Sequence, residues 1–133
     1  MRYFCIIFLG IWIHSCNAQE KSNDTLSIIK EVLKHREVKK FLHSNIKGRD
    51  TLIVVKNNFI KEEFEIKNYD IYVKTSIESH IKNQNYLEIK QFEIDGKYAK
   101  LALFYKLENI EILSTLYKDT NGWKIEDISV IEF

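Results

Sequence analysis

The last third of the chain carries four consecutive runs of β-branched and aromatic residues, separated by turn-forming residues. The four runs are Tyr86–Ile94, Tyr98–Lys106, Ile110–Lys118 and Trp123–Phe133. Asp95-Gly96 lies between the first two runs, and this dipeptide is typical of a type I′ hairpin turn, because both central residues of that turn have positive φ. Asn121-Gly122 is a second turn signal of this kind. The pattern predicts a four-stranded antiparallel meander.

Two of these four runs change the parity of their apolar residues partway along. The first run shifts its apolar residues from odd to even positions near Lys90–Gln91, and the fourth does the same near Glu126–Asp127. One residue inserted at each place returns all the apolar side chains to one face, as a β-bulge does, and a bulge also bends its strand. We therefore predict a strongly curved sheet that wraps around a helix.

Residues 24–47 have the apolar spacing of amphipathic helices. Asp24 precedes the first apolar residue of this pattern, Leu26, and is the predicted N-cap. Beyond His35–Glu37 the apolar positions move to the opposite side of a straight helix, which turns by about 100° per residue. Either the helix is interrupted there, which gives two short helices, or one helix is buried on two sides at different levels; we favour a break or kink. Gly48 is the predicted left-handed residue that ends the helical stretch.

The stretch between these helices and the meander holds shorter patterns. Thr51–Lys56 is strongly β-prone and Tyr69–Lys74 alternates between apolar and polar residues, so both are predicted strands. Between them, Phe59–Asn68 alternates moderately, with an interruption at Lys61–Glu63. Thr75 and Glu78 have the spacing of a capping box. We therefore predict a short helix over Ser76–Lys82.

The first 18 residues resemble a targeting segment. Arg2 supplies a weak positive charge, and Phe4–Ile13 is an almost continuous apolar run. A run of this length fits the core of a signal peptide and is too short to cross about 30 Å of hydrocarbon as a helix. We expect residues 1–18 to be a signal peptide or lipoprotein signal and residues 19–133 to form one exported α+β domain.

Two processing sites are compatible with this segment. In the first, cleavage follows Ala18 and releases a secreted or periplasmic protein. In the second, Ile13-His14-Ser15-Cys16 is a lipobox and the acylated Cys16 anchors the protein to the outer membrane. Ile13 and Ser15 fit a lipobox, whereas His14 departs from the usual small or β-branched residue. We expect contact with a membrane only through such a lipid anchor.

Cysteine content and charge exclude several function classes. Cys5 and Cys16 both lie in the targeting segment, so the exported domain has no thiol nucleophile, cysteine ligand or internal disulfide. Removal of residues 1–18 takes away Arg2, one of the 20 basic residues, and leaves all 19 acidic residues. The net charge is then zero, so we do not expect nucleic acid as a partner.

Few residues in the sequence point to catalysis. The chain has no phosphate-binding loop, dinucleotide fingerprint, zinc-protease motif or EF-hand loop, and we expect neither a cofactor nor a bound metal. His35 and His43 are eight residues apart, too far to share one metal ion on a helix. The weak catalytic candidates are His43 as a general base and Asp70 as its partner, with Asp50 as an alternative acid.

Two hairpin segments, Asp95–Leu103 and Tyr117–Ile125, carry a family resemblance. With them the C-terminal half resembles the closing hairpins of cystatin-like α+β folds, which include the nuclear transport factor two-like superfamily, whose members often end in a turn of the type Asp-Gly-x-Trp-x-Ile. This resemblance implies a helix pair packed in the concave face of a curved antiparallel sheet. Members include small isomerases and dehydratases as well as non-catalytic binding modules. The Asp–His or Tyr–Asp set of the enzymes cannot be aligned with this chain.

Aromatic residues are abundant on the predicted strands. Four of them are candidates for an apolar pocket with polar handles for a small ligand: Tyr98, Tyr105, Tyr117 and Trp123. The run Tyr98–Lys106 is apolar on both faces, so one face is expected to cover the helices, and the other is either packed by a second layer or offered to a partner. We expect a homodimer through this sheet face.

Two triplets, Asp24–Leu26 and Asp50–Leu52, resemble the Asp-Thr-aliphatic pattern of O-glycosylation in exported proteins of Bacteroidetes. Asn23-Asp24-Thr25 also matches an N-glycosylation sequon, which matters only in a eukaryotic host.

The predicted fold is therefore α+β, with one or two N-terminal helices packed on a curved, mainly antiparallel sheet of four to six strands. The favoured function is a non-catalytic exported or lipid-anchored envelope module that binds a protein or small ligand. One alternative is a small acid–base enzyme. Another is an inhibitor or immunity-type protein that adds its sheet edge to a target.

Overall fold

The computed structural model describes residues 23–67 and 71–133. Helix α1 covers residues 23–34 and helix α2 covers Arg36–Leu42. His35 separates them with an extended backbone, at φ −63° and ψ 138°, and its Nδ1 accepts a hydrogen bond from the Glu37 N–H. His35 is thus the N-cap of α2. The predicted break is confirmed, because two apolar stripes on opposite sides cannot face one core from a straight helix.

Both predicted helix caps are wrong. Asp24 lies inside α1, since residue 23 is already helical, and its carboxylate accepts hydrogen bonds from side chains of the meander instead. Helix α2 ends at His43, which takes the left-handed conformation at φ 45° and ψ 45°. Gly48 also has positive φ, at 88°, but in the turn that follows.

Within the described residues, seven strands form one mixed sheet: β1 Thr51–Val55, β2 Glu65–Lys67, β3 Tyr72–Ser76, β4 Tyr86–Asp95, β5 Tyr98–Tyr105, β6 Ile110–Asp119 and β7 Gly122–Glu132. Their order across the sheet is β2-β3-β1-β4-β5-β6-β7. Strand β1 is parallel to β3 and β4, and every other pair is antiparallel. The α+β prediction and the antiparallel meander are confirmed, with slightly more strands than expected.

Both predicted bulges are present. The pairing of β4 with β5 shifts between Ile89 and Gln91, so Lys90 is the extra residue. In β7, Ile125 and Asp127 pair with consecutive residues of β6, so Glu126 is the extra residue there. The sheet curls strongly around the helices, as bulges on two strands of a meander favour.

The predicted helix over Ser76–Lys82 is wrong. Parallel pairing with β1 extends β3 through Thr75 to Ser76, and only a 3₁₀ turn over Glu78–His80 follows. The Thr75 hydroxyl accepts from the Phe64 N–H at 3.1 Å, so it ties the β2 loop to β3 rather than capping a helix. The first two residues of the predicted strand Tyr69–Lys74 lie outside the described residues, and β3 begins at Tyr72.

Apolar side chains from both helices and all seven strands fill the concave face of the sheet. Helix α1 contributes four buried residues: Ile28, Ile29, Val32 and Leu33. Complete burial of each such side chain stabilises the fold by about 1.5–3 kcal/mol. Within residues 23–67 and 71–133, the buried polar side chains are those of Asn85 and Ser114. No helix in this part of the chain is long and apolar enough to span a bilayer.

Candidate functional site

A cleft of about 200 Å³ lies between the two helices and the β2–β3 end of the sheet. Its inner wall consists of five buried apolar side chains: Leu33, Leu42, Ile66, Ile71 and Val73. Its outer rim carries the more exposed polar side chains of Lys30, Lys39 and Ser44. We refer to these residues together as the lysine cleft.

Each helix supplies the cleft with a lysine and a leucine three residues later. Lys30 and Leu33 lie on α1, and Lys39 and Leu42 lie on α2. Residues three apart share one face of a helix. The surface of each helix that buries a leucine therefore also presents an ammonium group at the rim, so the cleft has an apolar interior and a cationic mouth.

The floor of the lysine cleft comes from the β2–β3 hairpin. Ile66 on β2 is paired with Val73 on β3, and Ile71 lies just before β3. Opposite side chains on one face of an antiparallel pair lie about 5 Å apart, so Ile66 and Val73 form a continuous apolar surface. Helices and strands hold most of the lining, and such a site is more precisely fixed than one built on loops.

A second cavity, of about 470 Å³, lies between the start of α1 and the loop over residues 58–64. Its lining includes Asn23 and Thr25 from α1, together with loop residues of both charge signs such as Lys61 and Glu62. Most of the loop residues are exposed. This cavity is larger but has no wall of buried apolar side chains comparable with the lysine cleft.

A buried polar network joins β1 to the meander. The Asn85 amide donates to the Thr51 carbonyl at 2.7 Å, and its oxygen accepts the Tyr105 hydroxyl at 2.6 Å. Burial raises the pKa of Tyr105 to about 12, with Glu108 adding to the rise and Arg49 opposing it. The phenol therefore stays neutral at physiological pH and has a structural role.

Tyr105 predicts a specific alkaline destabilisation. Its phenol has a pKa near 10 when unfolded and about 12 when folded, so between these pH values the unfolded chain releases a proton that the folded protein keeps. Stability therefore falls as pH rises through this window. We expect Tyr105→Phe to show a shallower loss of unfolding free energy between pH 10 and 12, measured by urea titration. An equally steep loss in both proteins would contradict this assignment.

Helix α1 is tied to the β6–β7 hairpin by the Asp24 carboxylate. It accepts hydrogen bonds from Trp123 Nε1 at 2.9 Å and from Lys118 Nζ at 2.8 and 3.0 Å. Lys118 Nζ also lies 5.7 Å from the centroid of the Trp123 ring. Trp123 therefore anchors the helix to the curled end of the sheet.

The four aromatic candidates do not line one pocket. Tyr105 and Trp123 are buried in the core, with 0% and 3% of their surface exposed. Tyr98 and Tyr117 are a cross-strand pair on the outer face, and Tyr98 is 62% exposed. The predicted set splits because the alternation of β5 sends Tyr98 outward and Tyr105 inward.

The weak catalytic candidates are not brought into a buried site among the described residues. His43 is exposed at the end of α2, and Asp50 is exposed before β1. Asp70 and the lipidation candidate Cys16 lie outside the described residues. The acceptor threonines of the two glycosylation triplets, Thr25 and Thr51, are partly buried within α1 and β1.

The outer face of the meander combines exposed apolar side chains with charges of both signs. Its exposed apolar residues are Tyr98, Leu113, Tyr117, Ile131 and Phe133. Leu113 lies between two residues with short side chains, Ala102 on β5 and Ser129 on β7. A shallow groove of about 270 Å³ runs beside it. Glu93, Lys100 and Asp127 lie in one cross-strand row.

Sequence reasoning missed the lysine cleft because its walls come from four separate stretches of the chain. The Lys-x-x-Leu spacing at Lys30–Leu33 and Lys39–Leu42 was the one available signal. That spacing is common on the flanks of amphipathic helices. It becomes informative only when both helices are seen to face the same hairpin.

Comparison of the chain with protein-family models, with curated proteins and with solved structures found no match. Within the part of the chain that the structure describes, no group of three or more His, Cys, Asp or Glu side chains is placed to hold a metal ion. The fold itself, two helices packed on a curved mixed sheet, is compatible with the cystatin-like plan.

Proposed function

We propose that the protein is a non-catalytic binding module of the bacterial envelope, of cystatin-like plan, that acts as a homodimer through the outer face of its meander. The observation that carries the proposal is the distribution of side chains on the two sheet faces. The concave face, where the enzymes of the cystatin-like superfamily hold their Asp–His or Tyr–Asp set, is filled with apolar side chains. Exposed apolar side chains lie on the opposite face.

The buried polar side chains on the core-facing side of the sheet support the proposal that the protein is non-catalytic. Ser114 Oγ donates to the Leu101 carbonyl at 3.0 Å, and Asn85 is held by Thr51 and Tyr105. Both described buried polar side chains therefore serve the fold. A general acid or base needs a titratable group within hydrogen-bond reach of a substrate.

The shape around Leu113 supports a second copy of this chain as the partner. Leu113 projects between the short side chains of Ala102 and Ser129, beside the shallow groove. In a twofold interface residue i contacts residue j and j contacts i. Leu113 of each copy can then enter the groove of the other.

The charges on this face are compatible with the same arrangement. Glu93, Lys100 and Asp127 form a row that contains both signs. A row of mixed sign can meet its own twofold copy with opposite charges facing each other, whereas a face of one sign would repel itself.

We expect Leu113→Glu to convert the dimer to a monomer. Leu113 is 37% exposed, so the substitution leaves the monomer folded. In the dimer, twofold symmetry would bring the two introduced carboxylates close together in a buried interface, which is unfavourable. The dimer dissociation constant should rise by at least about tenfold, measured by sedimentation equilibrium. Ile77→Glu is the matched control, because Ile77 is similarly exposed but lies off the meander. A wild-type monomer, or equal effects of both variants, would refute this interface.

The envelope assignment makes a separate prediction about the mature N-terminus. Mass spectrometry of the protein from bacterial cells should find a chain beginning at an acylated Cys16 or at Gln19. If the first form is present, Cys16→Ser should remove the protein from the membrane fraction. An intact chain that still begins at Met1, found in the cytoplasm, would contradict export.

A further inference from the structure

We propose that the lysine cleft binds a small amphipathic anion, namely a free monocarboxylate with a compact apolar body. This inference depends on the side chains between the helices and the β2–β3 hairpin, and not on the outer face of the meander. The cleft and the dimer face are therefore tested by separate variants.

The volume of the cleft sets the size of the ligand. An apolar cavity of about 150 Å³ accepts benzene, and pockets for drug-sized ligands measure about 300–1,000 Å³. The lysine cleft measures about 200 Å³. An apolar body of about six to eight non-hydrogen atoms fits this space. A short alkyl chain or a single substituted ring has this size, whereas a long lipid chain exceeds it.

The walls select an apolar body. The side chains of Leu33, Leu42, Ile66, Ile71 and Val73 are each at most 9% exposed. They form the buried part of the lining and offer no hydrogen-bond partner for a polar group. A polar body would lose its hydration there without compensation.

The rim selects a negative charge. Lys30 and Lys39 lie on different helices and both line the mouth, together with the Ser44 hydroxyl. The lining contains no carboxylate among the residues described, so nothing in it favours a cationic ligand. Each ammonium has three N–H donors and can bind a carboxylate oxygen while keeping another partner. Charge-assisted hydrogen bonds of this kind are stronger than neutral ones.

Octanoate is a suitable probe, with 1-octanol as its neutral analogue and octylammonium as its cationic one. We expect octanoate to bind the processed full-length protein with a dissociation constant on the order of 0.1 mM. Titration of protein labelled at isoleucine methyl groups should shift Ile66 and Ile71 while leaving the core residue Ile112 unchanged. Octanol should bind at least about tenfold more weakly and octylammonium more weakly still.

Substitution of the two rim lysines tests how much their positive charge contributes to octanoate binding. The double variant Lys30→Gln/Lys39→Gln should weaken octanoate binding at least about tenfold and leave octanol binding unchanged. Lys34→Gln/Lys40→Gln is the matched control, since it removes the same charge from the same helices outside the cleft lining. Each control lysine forms an ion pair on its own helix, with Glu31 and Glu37 respectively.

The space itself is tested by Ile71→Phe, which places a larger side chain in the cleft and should abolish binding of both octanoate and octanol. If this variant fails to fold, the lysine variants still decide the question. Equal binding of octanoate and octylammonium, methyl shifts confined to other isoleucines, equal effects of the two lysine pairs, or no binding up to about 10 mM octanoate would each overturn the proposal.

Discussion

Deletion of Thr115 should unfold the protein, whereas deletion of Lys90 should leave it folded. Thr115 lies in the middle of β6, which pairs without interruption with β5. Removing it moves every side chain in the part of β6 before Thr115 to the opposite face of the sheet. Ile110 and Ile112, which are at most 1% exposed in the folded protein, would then point outward. That loss amounts to about 3–6 kcal/mol, and Glu111 would be turned into the core in their place. Total stabilities are only about 5–15 kcal/mol.

Lys90 is the matched comparison because it is the extra residue of a bulge. Ile89 and Gln91 already pair with the consecutive residues Leu103 and Ala102 of β5. Deleting Lys90 therefore keeps every buried side chain of β4 on its present face and removes only the local bend. Circular dichroism during urea titration measures both variants. Unfolding of the Lys90 deletion and survival of the Thr115 deletion would contradict this description of the sheet.

Asn85→Ala should lower the unfolding free energy by about 2–6 kcal/mol. The substitution leaves two groups without their partner, the Thr51 carbonyl and the Tyr105 hydroxyl, which Asn85 binds at 2.7 and 2.6 Å. Each buried polar group left unsatisfied costs about 1–3 kcal/mol. Asn85 is 3% exposed, so water does not readily replace it.

Asn45→Ala is the control for this substitution, since Asn45 is exposed in the turn after α2 and its loss should change stability by less than about 0.5 kcal/mol. Equilibrium urea denaturation measures both proteins. A loss of less than about 1 kcal/mol for Asn85→Ala would show that the network does not hold β1 against the meander.

Local patterns predicted the C-terminal sheet well because its pairings are local. Each strand of the meander pairs with its neighbour in sequence, and Gly96 and Gly122 take positive φ at the two predicted turns. The type I′ assignment of the first turn is wrong, because Asp95 is the last residue of β4 and pairs with Tyr98. Of the two turn residues, Gly96 and Lys97, only Gly96 has positive φ. The two bulges were also readable, since the parity of apolar residues in a strand records every inserted residue. The break at His35 followed from the same geometric reasoning applied to a helix.

Non-local pairing explains what the sequence did not reveal. Strand β1 pairs in parallel with β3 and β4, and no periodicity in Thr51–Val55 specifies those partners. The same pairing extends β3 over Thr75, where the capping-box spacing had predicted a helix. Tertiary contacts thus overrode a local signal, as they commonly do for short segments.

The candidate site was less predictable than the fold because it depends on which distant segments meet. The four aromatic candidates are divided between the core and the surface by the alternation of the strands, and His43 is the C-cap of α2. The lysine cleft depends on helix packing that brings Lys30 and Lys39 to one rim. A single lysine on a helix surface does not indicate a binding site.

Cross-strand nuclear Overhauser effects of the processed protein test most directly the central claim that the last third of the chain pairs as an antiparallel meander. The Phe133 N–H donates to the Asn109 carbonyl, so the alternate pairs Ile112–Val130 and Ser114–Ile128 are non-hydrogen-bonded pairs with close Hα atoms. We expect strong Hα–Hα effects within both pairs. Helical i, i+3 effects across this region, or no effects between β6 and β7, would contradict the account.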